Sequence, residues 1–338
     1  MRLEDLDYAL EPERIAQTPV EPRHAARLLV DRGSAAPEHR HVRDLPELLR
    51  IGDVVVVNET KVIPARLRLR RATGGASEVL LLEPRDAARR VWEALVRPAR
   101  KLRPGTQLFS AAGDAVVEVG SRTEAGDTFT VTVLGDTTDV LEVLDEHGEL
   151  PLPPYIHARL GEPDRYQTVY ATVPGSAAAP TAGLHLTPEV LAGIRDRGID
   201  VVPVELVVGL DTFAPIGVGD PLRHRMHSER YRVPEATWER VRRARRVVAI
   251  GTTSVRALES VAATGLLEGR TRLFLHAAAP VQVVDALMTN FHLPRTTLLM
   301  LVEAVIGPRW RRLYDEALAG DYRFLSFGDA MLLDRHAR

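Results

Sequence analysis

Between residues 66 and 150 the chain changes texture, and this block limits the possible folds more than any other feature. Short β-like runs at 78–82, 91–96, 115–119 and 129–134 alternate with turn signals at Gly74-Gly75, Pro104-Gly105, Gly113-Asp114 and Gly126-Asp127. Many short strands at regular spacing suggest a small antiparallel barrel or sandwich. Pro151-Leu152-Pro153-Pro154 ends the pattern. The flanks read differently. Residues 53–57 hold a continuous apolar run after a glycine, as a buried strand does. Asn58-Glu59-Thr60-Lys61 then forms a polar strand end, and Pro64 interrupts regular pairing. Residues 200–206 and 247–250 also read as buried strands. Residues 188–197, 235–246, 255–263 and 296–306 read as helices. The expected fold class is therefore α/β. A main α/β domain is built from both chain ends, 1–65 and 151–338, with a β-rich, barrel-like small domain inserted at 66–150.

Composition narrows the function. The formal net charge is −2 over 338 residues, so nucleic acid could be bound only through a local basic patch. The absence of cysteine excludes disulfides, thiolate metal sites and a cysteine nucleophile. The acidic start, Met1-Arg2-Leu3-Glu4-Asp5-Leu6, does not read as a signal peptide, and no apolar stretch approaches the roughly 20 residues that span a bilayer. A cytoplasmic protein with no membrane contact is expected.

Five polar segments could carry chemistry. Pro180-Thr181-Ala182-Gly183-Leu184-His185 precedes Thr187-Pro188, an N-cap with proline at the first helical position. Gly183 would permit close backbone approach to a ligand. His224-Arg225-Met226-His227-Ser228-Glu229 holds two histidines and a carboxylate; no other segment completes a metal set, and a His–Glu acid/base pair fits better. Gly251-Thr252-Thr253-Ser254-Val255-Arg256 follows a strand and opens a helix, where free N–H groups and hydroxyls suit an anion. A simple capped turn explains it equally well. Thr289-Asn290-Phe291-His292-Leu293-Pro294 could read an adenine edge through Asn290, or serve only as a turn. Residues 322–331 alternate aromatic and polar groups, as a pocket-lining or core strand would. Separately, Arg240, Arg242, Arg243, Arg245 and Arg246 crowd one predicted helix end. They form a solvated face or an RNA-backbone contact.

These segments, with residues 14–19, 27–30, 52–53, 57–66, 97–102, 152–156 and 166–171, occur in one order along nearly the whole chain. In that order they resemble the S-adenosylmethionine:tRNA ribosyltransferase-isomerases of queuosine biosynthesis. The resemblance implies an α/β domain with an inserted barrel-like domain. It implies S-adenosylmethionine consumed as a substrate, with no true cofactor and no metal. Its ribosyl moiety would be transferred and isomerised onto 7-aminomethyl-7-deazaguanine in the tRNA anticodon loop, releasing adenine and methionine. The implied partners are tRNA and S-adenosylmethionine, and a monomer is expected. The chemistry needs a base beside the sulfonium, an acid for departing adenine, and donors for the methionine carboxylate. His185, His227 and Glu229 are the catalytic candidates. Asn58, Lys61, Thr181, Gly183, Gly251, Thr252, Thr253, Arg256, Asn290, His292 and Asp329 are candidates for substrate binding, and the five arginines for RNA.

Two stretches depart from the family pattern. Val207-Val208-Gly209-Leu210-Asp211-Thr212-Phe213 stands where the family has His-Val-Gly-x-Gly-Thr-Phe. Residues 277–279 are alanines where a Pro-Gly-aromatic element is usual. Two alternatives therefore stay open: an enzyme of the same fold with a non-tRNA acceptor, and a catalytically inactive RNA- or nucleoside-binding homologue.

Overall fold

The structure, a computed structural model, describes every residue except 1, 125, 138, 159–160, 210–215, 217–218, 225 and 338. It divides into two compact units. One comprises Met1–Thr60, Pro154–Val173 and Ala179–Arg338; the other comprises Lys61–Pro153 and Pro174–Ala178.

The smaller unit is a closed antiparallel barrel. Strands Arg66–Arg71, Ala76–Pro84, Val91–Arg97, Phe129–Val133, Ala115–Arg122 and Thr106–Phe109 pair in that spatial order, and the last returns to pair with the first. Alternation along Val91–Arg97 and Phe129–Val133 sends Trp92, Ala94, Val96, Phe129, Val131 and Val133 inward. Closure removes free sheet edges, which is why so short a set of strands is stable. Gly74-Gly75, Gly113-Asp114 and Gly126-Asp127 are hairpin connections, whereas Pro104-Gly105 lies on the crossover from Val91–Arg97 to Thr106–Phe109.

The larger unit is built on a nine-stranded mixed sheet among the described residues. Its order is Glu268–Thr271, Glu229–Arg232, Asp200–Leu206, Asp53–Asn58, Arg246–Ile250, Ala286–Asn290, Ala330–Asp334, Arg27–Val30 and Glu38–His41. Strands Asp200–Leu206, Asp53–Asn58, Arg246–Ile250 and Ala286–Asn290 run parallel to one another. Every residue of Asp53–Asn58 is buried, as a central strand covered on both faces must be. One face packs Val55, Val57, Val248, Ile250 and Met288 onto Leu186, Val190, Leu191 and Ile194.

Helices at Pro188–Asp196, Thr252–Thr264 and Thr297–Ile306 fall within a few residues of expectation. The arginine-rich helix is shorter than its charge pattern suggested. It spans Glu235–Arg243, and Arg246 begins the next strand. Arg246 is therefore removed from the RNA-contact set. Its guanidinium is mostly buried, 2.6 Å from Asp53 and 3.4 Å from Asp334. Residues 322–331 are mainly a packed loop that enters strand Ala330–Asp334. Among the described residues no helix is long and apolar enough to cross a membrane.

Asn58 ends its strand fully buried. Its Oδ1 accepts the Leu206 N–H at 3.1 Å and its Nδ2 donates to the Leu206 carbonyl at 3.0 Å. The side chain thus extends the parallel ladder, and the expected contact with S-adenosylmethionine is replaced by a structural bond. Asn58→Ala orphans a buried N–H and C=O, so urea unfolding should show a loss of about 1–3 kcal/mol.

Candidate functional site

The parallel strands end together, and the cleft lies just beyond their carboxyl ends, where α/β sheets bind ligands. Val208 follows strand Asp200–Leu206, Gly251 follows Arg246–Ile250, and Asn290–Phe291 close Ala286–Asn290; all line the cleft. Ala179–Ala182, Tyr155, Leu325 and Ser326 form the opposite wall. About 600 Å³ of empty space lies between them, partly open to solvent.

Local geometry brings each group there. Gly251 adopts φ +85°, a value that favours glycine, and turns the chain from strand directly into helix Thr252–Thr264. No side chain caps this helix. Its first N–H groups and the Thr252 and Thr253 side chains therefore face the cleft with the positive end of the helix dipole. The Thr253 hydroxyl is buried without a hydrogen-bond partner, an opening for a ligand atom. Asn290 is 3% exposed. Its Oδ1 accepts from the Thr181 hydroxyl at 3.1 Å, and its Nδ2 donates to His185 Nε2 at 2.9 Å and to the Asp329 carbonyl at 3.3 Å. Beside it, Phe291 packs edge-on against Tyr314 and Tyr322, and the Tyr314 hydroxyl meets the His292 amide at 2.9 Å. The loop is thereby anchored in an aromatic core.

No charged side chain lines the cleft among the described residues. His292, which does line it, is pushed down to about 3 by burial, and its Nε2 lies 3.0 Å from the Thr289 hydroxyl. His185 is pushed down to about 4, first by burial and then by the nearby Arg323 charge. Both imidazoles are neutral near pH 7. The Tyr155 hydroxyl is 2.7 Å from the Ser326 hydroxyl, and burial raises its pKa, so it keeps its proton.

Of the expected residues, Thr181, Gly251, Thr252, Thr253, Asn290 and His292 meet in this cleft. The others do not. Lys61 is exposed and belongs to the barrel unit. Gly183 is needed for packing: a Cβ there would lie 2.0 Å from the Tyr170 hydroxyl. Asp329 spends its carboxylate on the backbone N–H groups of Arg27 and Arg323, at 2.9 and 2.8 Å. Arg256 and Glu229 form a buried ion pair with each other, away from the cleft wall. An ion-paired carboxylate is a poor base; Arg256 spends its Nη1 on Glu229, while its Nε and Nη2 are buried without a partner, off the cleft wall. His227 is exposed and outside the cleft. His185 sits behind Asn290 and orients its amide, so the three acid/base candidates do not converge. Asp211 lies outside the described residues, while Val207 is half-buried beside the cleft-lining Val208. The sequence reading missed Tyr155, Val208 and Thr296. Each comes from a segment whose local pattern is a turn or a cap.

A cleft beyond the carboxyl ends of parallel strands, with hydroxyls and one fixed amide set among apolar walls, is where an α/β fold places a small-molecule site. The family described as "Queuosine biosynthesis protein" matches residues 3–333. A protein of Symbiobacterium thermophilum named S-adenosylmethionine:tRNA ribosyltransferase-isomerase is 52% identical, over 98% of this chain and 100% of its own length. A protein of the same name from Thermus thermophilus is 51% identical, over 98% and 99%. A crystal structure titled S-adenosylmethionine tRNA ribosyltransferase, from Thermotoga maritima, matches with TM-score 0.55 and 36% identity over 97% of this chain and 99% of that one. The chain belongs to the queuosine biosynthesis protein family and is an enzyme.

The neutral histidines predict a pH dependence of stability. The folded pKa values of His185 and His292 lie below the ordinary 6.5. The unfolded chain therefore takes up protons that the folded state refuses. This stability is complete above about pH 6.5 and falls on acidification, by up to about 1.4 kcal/mol per pH unit for each histidine. His185→Gln should lose less stability between pH 7.5 and 5 in urea titrations than the unaltered protein does.

Proposed function

We propose that the protein is an S-adenosylmethionine-dependent tRNA ribosyltransferase-isomerase. It transfers and isomerises the ribosyl moiety of S-adenosylmethionine onto 7-aminomethyl-7-deazaguanine in the tRNA anticodon loop. The product is epoxyqueuosine, and adenine and methionine leave. The observation that carries this reading is the uncharged, hydroxyl-lined cleft at an uncapped helix N-terminus, in a chain about half identical along its length to enzymes of that name. S-adenosylmethionine is a consumed substrate here, not a cofactor, and no metal takes part. The cytoplasm, where tRNA is modified, is the expected compartment.

The cleft suits the demands of the sulfonium. The N–H groups and hydroxyls at Thr252 and Thr253 receive the methionine carboxylate, with the helix dipole opposing its charge. Asn290, its amide already oriented by Thr181 and His185, retains acceptor capacity on Oδ1 for an exocyclic amine such as that of adenine. Tyr155, which keeps its proton, can donate a hydrogen bond to a leaving nitrogen, while His292, kept neutral and bonded to Thr289, shapes the wall and is too weak a base to take a proton. Of the arginine cluster, Arg242 on the helix and Arg245 just beyond it are exposed without an ion pair among the described residues. Arg240 and Arg243 are paired to Asp200 and Glu239. The first two are the better RNA contacts.

Single-turnover mixing with S-adenosylmethionine and tRNA carrying the aminomethyl base should form adenine and methionine. No adenine with that tRNA would overturn the reading. Release with a small amine instead would favour the second acceptor class, which the family-divergent segment beside Val208 makes worth testing. Thr253→Ala removes a hydrogen bond to a charged group and should weaken S-adenosylmethionine binding by about 1.5–3 kcal/mol in calorimetry. Tyr155→Phe should lower the rate of adenine release while leaving that affinity nearly unchanged.

A further inference from the structure

Next to the cleft lies a second hollow of about 250 Å³ that none of the steps above uses. The two share Ser326, and His185, which holds Asn290 from behind, lines the second. Arg23 and Arg165 also line it, and no carboxylate does so among the described residues.

The cations are poorly compensated. Arg23 donates to the backbone carbonyls of Gln167 and Asp164 at 2.7 and 2.8 Å and makes no ion pair among the described residues. Burial lowers its pKa, with the exposed Asp164 opposing only in part. Arg323 is held by the carbonyls of Thr18 and Phe327, both at 3.2 Å, beside the hollow's own Pro19 and Phe327. Arg165 has one acidic partner, Glu21, which is 63% exposed. Arg165 is itself mostly buried, but the carboxylate half of the pair is solvated, so a better anion can take its place. Guanidinium groups fixed by carbonyls keep their full charge, and their planar donors match oxyanions. Interior packing gives no reason to gather such cations around an open hollow, and their mutual repulsion opposes it.

We propose that this hollow is an oxyanion subsite of the adjoining cleft, in which Arg23 and Arg165 hold a phosphate of the RNA backbone next to the nucleotide being modified. The proposal rests on the tRNA reading given above. The same chemistry would hold the carboxylate of S-adenosylmethionine. The phosphate is the better occupant because the uncapped helix N-terminus at Thr252 already serves a carboxylate. Glu21 occupies Arg165 when RNA is absent and yields it on binding.

The test measures dissociation constants for tRNA at several salt concentrations, and for S-adenosylmethionine, on the full chain. Arg165→Gln should weaken tRNA binding roughly 5- to 20-fold and reduce the salt slope by about 1, without changing S-adenosylmethionine affinity. Glu21→Gln should tighten tRNA binding, which a merely structural pair would not do. If the same changes appear in S-adenosylmethionine affinity instead, the subsite stands and its occupant is the carboxylate. If both variants leave both affinities within about twofold, the proposal is overturned, even where Arg23→Gln lowers affinity by destabilising the fold. Failure of the unaltered protein to release adenine with tRNA would count against the proposed activity; altered variants beside an active parent report on this hollow alone.

Discussion

The amide of Asn290 holds together what the chain keeps far apart. Its partners Thr181, His185 and Asp329 lie 109, 105 and 39 residues away in sequence. Being buried, it must satisfy its polar atoms with good geometry, and this leaves one arrangement of the surrounding segments. His185 can serve only while neutral, because Nε2 must accept from the amide. Burial and the Arg323 charge ensure that. The cleft wall is thus set by a polar network that tolerates no change of protonation near neutral pH.

The placement of charge follows the same logic. Buried ionic groups in the larger unit are neutralised locally: Arg246 by Asp53 and Asp334, Arg256 by Glu229. Glu259 instead accepts three backbone N–H groups, from Gln282, Val283 and Val284, at 2.8, 2.9 and 3.0 Å. None of these groups faces the cleft, so its polarity comes from hydroxyls, one amide and the helix dipole. Of the described residues that line the two hollows, the cationic ones, Arg23 and Arg165, belong to the second.

Much of the fold was legible because it rests on local patterns. The alternating runs with glycine turns became the closed barrel, and the fully apolar 54–57 run became a central strand. Helix Pro188–Asp196 starts where Thr187 accepts the Val190 N–H, as the Thr-Pro signature implies. Two expected site residues make internal bonds instead of lining the cleft. Asn58 and Arg256 have the side chains a ligand would want, and the fold uses that same chemistry internally, on Leu206 and on Glu229. Residue type reports what a group can bind, not which partner reaches it first. Gly183 shows the same ambiguity, since a missing Cβ serves a neighbouring Tyr170 as well as a ligand.

The sequence by itself determined the element types and the family, and it singled out the 251–256 and 289–294 segments, whose residues line the cleft. Periodicity, turn chemistry and helix-start signals act over a few residues and survive in any context. Only the tertiary structure decided that the strand after 245 begins with a paired Arg246, that Tyr155 and Ser326 complete the wall, and that His185 supports the site from behind. Those outcomes depend on contacts between residues more than 100 apart, on burial that removes a proton from an imidazole, and on which of several competent partners lies within 3 Å. No local pattern encodes such distances; they exist once the parallel strands have paired and their ends have met.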